Sequence, residues 1–168
     1  MGNIYFIGMP GSGKSHLGSL TAGYLGLYFY DLDNAIEKSH GCSINQIFAD
    51  QGEEIFRQRE SQKLQQIAQK DKFLVATGGG IILNPENIKT MKKSGLVVFI
   101  NRPPELVMQD IDSRKRPLLR GNCKQKWQQL YQERYELYKK AADITFINDK
   151  MIQTAAKELV ALLQSTVY

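Results

Sequence analysis

Residues 8–15 read GMPGSGKS. They stand between an apolar, β-rich run, NIYFIG (3–8), and a stretch with leucines at helical spacing, Leu17, Leu20 and Leu25. A strand that enters a glycine-rich turn and opens a helix commits the chain to βα units, and hence to a parallel sheet. The glycines let successive backbone N–H groups converge on one anion, and the helix N-terminus adds positive potential. Gly8, Gly13, Lys14 and Ser15 fill the pattern G-x-x-x-x-G-K-[ST]. The stretch Gly11, Ser12, Gly13, Lys14, Ser15 and His16 is therefore expected to cradle the phosphates of a nucleoside triphosphate. Lys14 reaches the β- and γ-phosphates, and the Ser15 hydroxyl is a ligand for Mg²⁺.

The rest of the chain keeps the alternation. Strand-like runs at 28–33, 72–77, 96–101 and 143–147 follow the first, each nearly continuous in apolar residues. Helical spacing covers 34–40, 43–50, 53–69, 84–94, 104–112, 124–142 and 151–165. Asn84 is the expected N-cap of the 84–94 helix, with Pro85 at its first position. Buried parallel strands read in this way, so a three-layer α/β/α fold with a five-stranded parallel sheet is expected. The 168 residues suit one domain, 1–168. Only about 113–123 lacks periodicity. That stretch holds the basic cluster RKRPLLR and reads as a mobile lid.

The net charge of +5 is spread along the chain, apart from that cluster, which has no interleaved aromatic residues. Stacking on single strands needs such residues, so small anions are favoured over nucleic acid as partners. No apolar run is long enough to span a membrane. The chain enters a strand at once, leaving no room for a targeting segment. Cys42 and Cys123 are far apart and in no metal-ligand spacing, as expected of free thiols in a reducing cytoplasm.

Phosphate binding alone does not specify an enzyme. A regulatory GTPase needs an N-K-x-D reader, and FINDKM (146–151) does not match. Hydrolases and motors carry an apolar strand that ends in an acid. Here that strand, FLVAT, runs instead into Gly78, Gly79 and Gly80. A small kinase acting on a metabolite remains. YFYDLDNAIE (28–37) then supplies Asp31 and Asp33 at the end of the second strand, beside the phosphate loop if strands one and two share the active edge. One carboxylate can hold the water shell of the metal, and the other can accept the proton of an acceptor hydroxyl. The plainer alternative is that Asp33 caps the following helix.

At this point the sequence resembles the shikimate kinases, small P-loop kinases akin to the nucleoside monophosphate kinases. The resemblance runs from GMPGSGKS through FYDLD, SINQIFADQGEEIFRQRE, the GGG run and RPLL to ERYELYKKAAD, essentially the whole chain. It implies transfer of the ATP γ-phosphoryl to the 3-hydroxyl of shikimate, a step towards chorismate and aromatic amino acids. It implies a substrate pocket built on about 33–61. Arg57 and Arg134 match carboxylate-binding positions, with Glu60 one turn on from Arg57. Asp33 matches the acid at the ring hydroxyls, Asp31 the acid near the metal, and Gly78, Gly79 and Gly80 the run lining the pocket. Arg116 matches the lid arginine that reaches the transferring phosphoryl group. Phe48 and Phe56 are expected to wall the carbon ring; plain core packing is the alternative. On its own residues, Arg134 reads as an ordinary helix-surface charge.

One position departs from the pattern. Many members place an adenine-stacking arginine where this chain has Gln109, so the adenine contact is not assigned, with the backbone of INDKM (147–151) as a candidate. A monomer is expected. Two other readings stay open: a kinase for another polyol acid such as gluconate, and a nucleotide-dependent binding module with a vestigial pocket.

Overall fold

The computed structural model describes residues 2–110 and 122–167. β1 (Asn3–Ile7) lies at the centre of the sheet. β3 (Phe73–Ala76) and then β2 (Tyr28–Asp31) lie on one side of it, and β4 (Gly95–Asn101) and β5 (Ile144–Ile147) on the other. All neighbouring pairs are parallel. Strands one and two do share the active edge, but they are not neighbours, because β3 separates them. Register closes the gap: Asp31 pairs with Ala76, which pairs in turn with Phe6, two residues before the glycine loop.

Strand alternation sorts the core into two layers. Tyr5 and Ile7 of β1, with Val75, Val97 and Phe99, face one cluster. That cluster takes in α2 (Leu32–His40), α3 (Ile44–Ala68), α4 (Pro85–Ser94), α5 (Pro104–Asp110) and α6 (Cys123–Ala141). Ile4 and Phe6, with Leu74, Val98 and Ile100, face the other, covered by α1 (Lys14–Leu25) and α7 (Ile152–Val167). The central strands β1, β3 and β4 are thus buried on both faces, which is why they read as unbroken apolar runs, whereas the edge strands β2 and β5 keep exposed residues such as Tyr28 and Ile147.

The two helices expected at 43–50 and 53–69 form one element broken at Gly52, whose φ of 84° and ψ of 168° no helix interior adopts. Asn84 caps α4 by accepting from the Glu86 amide at 3.0 Å. The cap of α2 is Asp31, which accepts from Asn34 N at 3.0 Å. The capping role read for Asp33 therefore falls to Asp31, and Asp33 sits in the first turn of α2 rather than at the end of the strand.

Candidate active site

The glycine loop leaves β1 over the carboxyl edge of the sheet and ends where α1 begins, at Gly13 (φ 89°). The Lys14 ammonium folds back over the loop, donating to Gly8 O at 2.8 Å and Met9 O at 3.0 Å. Ser15 and His16 are exposed at the start of α1. The Ser15 hydroxyl donates to Asp31 Oδ2 at 2.5 Å, so the end of β2 is brought to the start of α1 across the width of β3. The carboxylate absent from the end of β3 stands here.

Hydroxyl and carboxylate oxygens in an open setting suit Mg²⁺, which keeps most of its waters and takes few protein ligands. Among the described residues no group of three or more His, Cys, Asp or Glu gathers as a metal cage elsewhere.

The acceptor side is built around the three glycines. None of the three has a left-handed φ, so space rather than backbone conformation requires them. A side chain on Gly80 would collide with the guanidinium of Arg57, one on Gly78 with the carboxylates of Glu60 and Asp33, and one on Gly79 with the ring of Pro10. The protein's own charged side chains already lie against the strand end.

Arg57 is clamped on two sides. Its Nη1 donates to Glu60 Oε2 at 2.8 Å, while Nη2 and Nε donate to Glu53 Oε1 at 3.1 and 3.3 Å. The Glu60 partnership agrees with the sequence reading. Glu53 was not anticipated, although its position four residues before Arg57 on a helix is a pairing spacing. Arg134 is buried, with Nη1 donating to Gly79 O at 3.3 Å and Nε without a partner. The surface-charge reading of Arg134 does not hold. Tyr138, one turn further along α6 and fully buried, also donates to Gly79 O. Phe48 and Phe56 pack together with ring centroids 4.9 Å apart, and the Arg57 guanidinium lies over the Phe56 ring. Phe56 belongs to the core cluster on that face, and the half-buried Phe48 packs against it.

Two carboxylate oxygens in this region, Asp33 Oδ1 and Glu60 Oε1, are enclosed without a hydrogen-bond partner. Burial is the main cause that pushes the Asp33 carboxyl up from 3.8 to about 7; the charges of Glu60 and Asp31 push the same way, against Lys14 and Arg57. Burial also raises Glu60, opposed chiefly by Arg57. Unpaired acceptors beside two guanidinium groups can meet hydroxyl donors and a carboxylate respectively.

Trp127 and Asn148 touch the loop from behind and carry no motif that pointed to them. Trp127 Nε1 donates to Pro10 O at 2.8 Å, and Asn148 Nδ2 donates to Ser12 O at 2.9 Å. Asn148 lies in the INDKM stretch, where an adenine contact was considered. Its side chain turns to the loop. Gln109 is exposed at the end of α5. Arg116, and the lid expected at about 113–123 apart from its last residues, lie outside the described residues.

A parallel five-stranded sheet with a phosphate loop after β1, an acid brought to that loop from β2, and a charged pocket beside it defines a P-loop phosphotransferase of the small-molecule kinase class. A family model described as "Shikimate kinase" matches residues 10–164. A shikimate kinase of Clostridium botulinum (strain Eklund 17B / Type B) is 42% identical over 160 residues, which cover 95% of this chain and 96% of that one. The structure of the Acinetobacter baumannii shikimate kinase in complex with shikimate superposes with a TM-score of 0.94 at 34% identity, over 99% of this chain and 94% of that one. The Aquifex aeolicus shikimate kinase structure gives a TM-score of 0.83 at 36% identity, over 98% of both chains. The chain belongs to the shikimate kinase family.

Proposed function

We propose that this site carries out the reaction of its family, ATP-dependent phosphorylation of shikimate at the 3-hydroxyl, yielding shikimate 3-phosphate and ADP for aromatic amino acid biosynthesis. The observation that carries the substrate reading is the pairing of Arg57 and Arg134 around Gly79 and Gly80, next to the enclosed oxygens of Asp33 and Glu60. A cyclic acid with ring hydroxyls satisfies both halves of that pocket.

In this reading Arg57 and Arg134 hold the acceptor carboxylate. Asp33 accepts hydrogen bonds from the ring hydroxyls and takes the proton of the attacking oxygen. Gly78, Gly79 and Gly80 present backbone to the ring, with Phe48 and Phe56 as its apolar wall. The amides from Gly11 to His16 hold the ATP phosphates. Lys14 leaves the loop carbonyls to meet the γ-phosphoryl group, and Arg116 joins it when the lid about 113–123 closes. Ser15 and Asp31 hold Mg²⁺, which, when bound, neutralises phosphate charge. The catalytic unit is one domain, 1–168, with the acceptor helices at about 33–61. It acts as a cytoplasmic monomer on small molecules, without nucleic acid or membrane partners. No described helix is long and apolar enough to cross a membrane.

The test is ADP release by purified protein with MgATP and shikimate, gluconate or no acceptor. Release that depends on shikimate is expected. Release with gluconate alone would overturn the pocket assignment, and no acceptor-dependent release would overturn the kinase reading.

A further inference from the structure

The glycine loop is fastened from outside at two alternate peptide units. The Pro10 carbonyl is held by Trp127 Nε1 from α6, and the Ser12 carbonyl by Asn148 Nδ2 from the turn after β5. Trp127 is fully buried, and Asn148 is 4% exposed. Among the described residues there is no cis peptide bond. In a trans peptide the C=O and the next N–H point in opposite directions. Holding the Pro10 carbonyl towards α6 therefore turns the Gly11 amide away from α6. Holding the Ser12 carbonyl towards the β5 turn likewise turns the Gly13 amide away from that turn. Neither amide has a protein acceptor among the described residues. Gly11 and Gly13 both have left-handed φ, 84° and 89°, the conformation in which successive amides form an anion-binding concavity.

We propose that Trp127 and Asn148 are positioning residues for the nucleotide phosphates, acting by orienting the Gly11 and Gly13 amides. The proposal rests on the reading of this loop as the ATP site. Lys14 also ties loop carbonyls, those of Gly8 and Met9, but from the inside. When its ammonium turns to a phosphate those two ties are released, whereas the ties from Trp127 and Asn148 remain. They keep the cradle in shape while Lys14 changes partner. Trp127 also shares α6 with Arg134 and Tyr138, both of which hold Gly79. One helix thus sets the donor loop and the acceptor strand end against each other.

The experiment measures ADP affinity, both Michaelis constants and the ¹⁵N–¹H amide spectrum. The variants are Trp127→Phe, Asn148→Asp, and protein in which the single tryptophan is replaced by benzothienylalanine. That analogue keeps the bicyclic ring and carries sulfur in place of the N–H, so it tests the hydrogen bond even if Trp127→Phe misfolds. Loss of one tie should weaken ADP binding and raise the KM for ATP about five- to tenfold, the scale of one buried hydrogen bond. The KM for the acceptor should stay within about twofold on the same scale. The Gly11 amide resonance should move on loss of the indole N–H, and that of Gly13 on Asn148→Asp. Folded variants with parental ADP affinity and unmoved resonances would overturn the proposal, as would two KM values rising together. If the unaltered protein itself fails to bind ADP, the ATP-site reading falls and the proposal falls with it.

Discussion

Asp31 accepts a hydrogen bond from Ser15 Oγ at 2.5 Å and, through its other oxygen, one from Asn34 N at 3.0 Å. One carboxylate therefore both reaches the phosphate loop and caps α2. The two tasks separate chemically, because asparagine caps a helix about as well as aspartate but is a poor ligand for a hard cation.

Asp31→Asn should therefore keep its melting temperature within a few degrees while losing metal-dependent activity. A magnesium titration should show the half-saturating concentration rising at least about tenfold, equivalent to about 1.4 kcal/mol. Chelation of the parent protein should abolish turnover, and added Mg²⁺ should restore it. Unchanged magnesium dependence in Asp31→Asn would remove Asp31 from the metal site.

Asp33→Asn should lower kcat by about a hundredfold or more, the usual scale for loss of a general base, with little change in ADP affinity. In the parent protein kcat/KM for the acceptor should fall as pH drops below about 7, as Asp33 takes up its proton. Stability should run the other way. The Asp33 carboxyl lies near 7 when folded and near 3.8 in the open chain, so between those values the folded state binds more protons. Stability must then decline as pH rises through that window. Asp33→Asn should thus raise the melting temperature more at pH 8 than at pH 5. Equal shifts at both would show that the carboxyl is not held up by its surroundings.

Gly80→Ala presses a methyl group onto the Arg57 guanidinium, the far end of a flexible side chain. The fold should lose about 1–3 kcal/mol, the usual overpacking range, because moving that end strains its bonds to Glu53 and the buried Glu60. The displaced arginine should raise the KM for the acceptor about tenfold or more, leaving the KM for ATP nearly unchanged. Thermal melts and two-substrate kinetics on the one variant check both halves.

Arg57→Ala and Glu60→Gln should each raise the acceptor KM, and their effects should not add. The Glu60 carboxylate is fully buried and bonded to Arg57 at 2.8 Å, so either change undoes one shared unit. A double-mutant cycle should show coupling above about 1 kcal/mol. Additive effects would mean the pair does not act together. Arg57→Lys should restore little, since a single ammonium cannot reproduce the fork held between Glu53 and Glu60.

What could be read from the sequence followed from how local each feature is. The phosphate loop is eight consecutive residues between a strand and a helix, and its glycines and lysine are specified by the anion they surround. The central strands β1, β3 and β4 showed as apolar runs because both of their faces are covered. Asn84 and Pro85 marked the start of α4 through contacts within one turn. The Glu60 clamp on Arg57 was visible as a spacing of three along a helix.

Tertiary structure decided the rest. Only the strand order β2-β3-β1-β4-β5, with its register, brings Asp31 to Ser15. Only the packing of α6 over β4 and the end of β3 turns Arg134 and Tyr138 onto Gly79 and lays Trp127 against Pro10. The glycines after β3 announced a close approach, but not that Arg57, Glu60 and Asp33 make it. These contacts join residues tens of positions apart through single hydrogen bonds or the volume of one methyl group. No periodicity, composition or short motif along the chain encodes them.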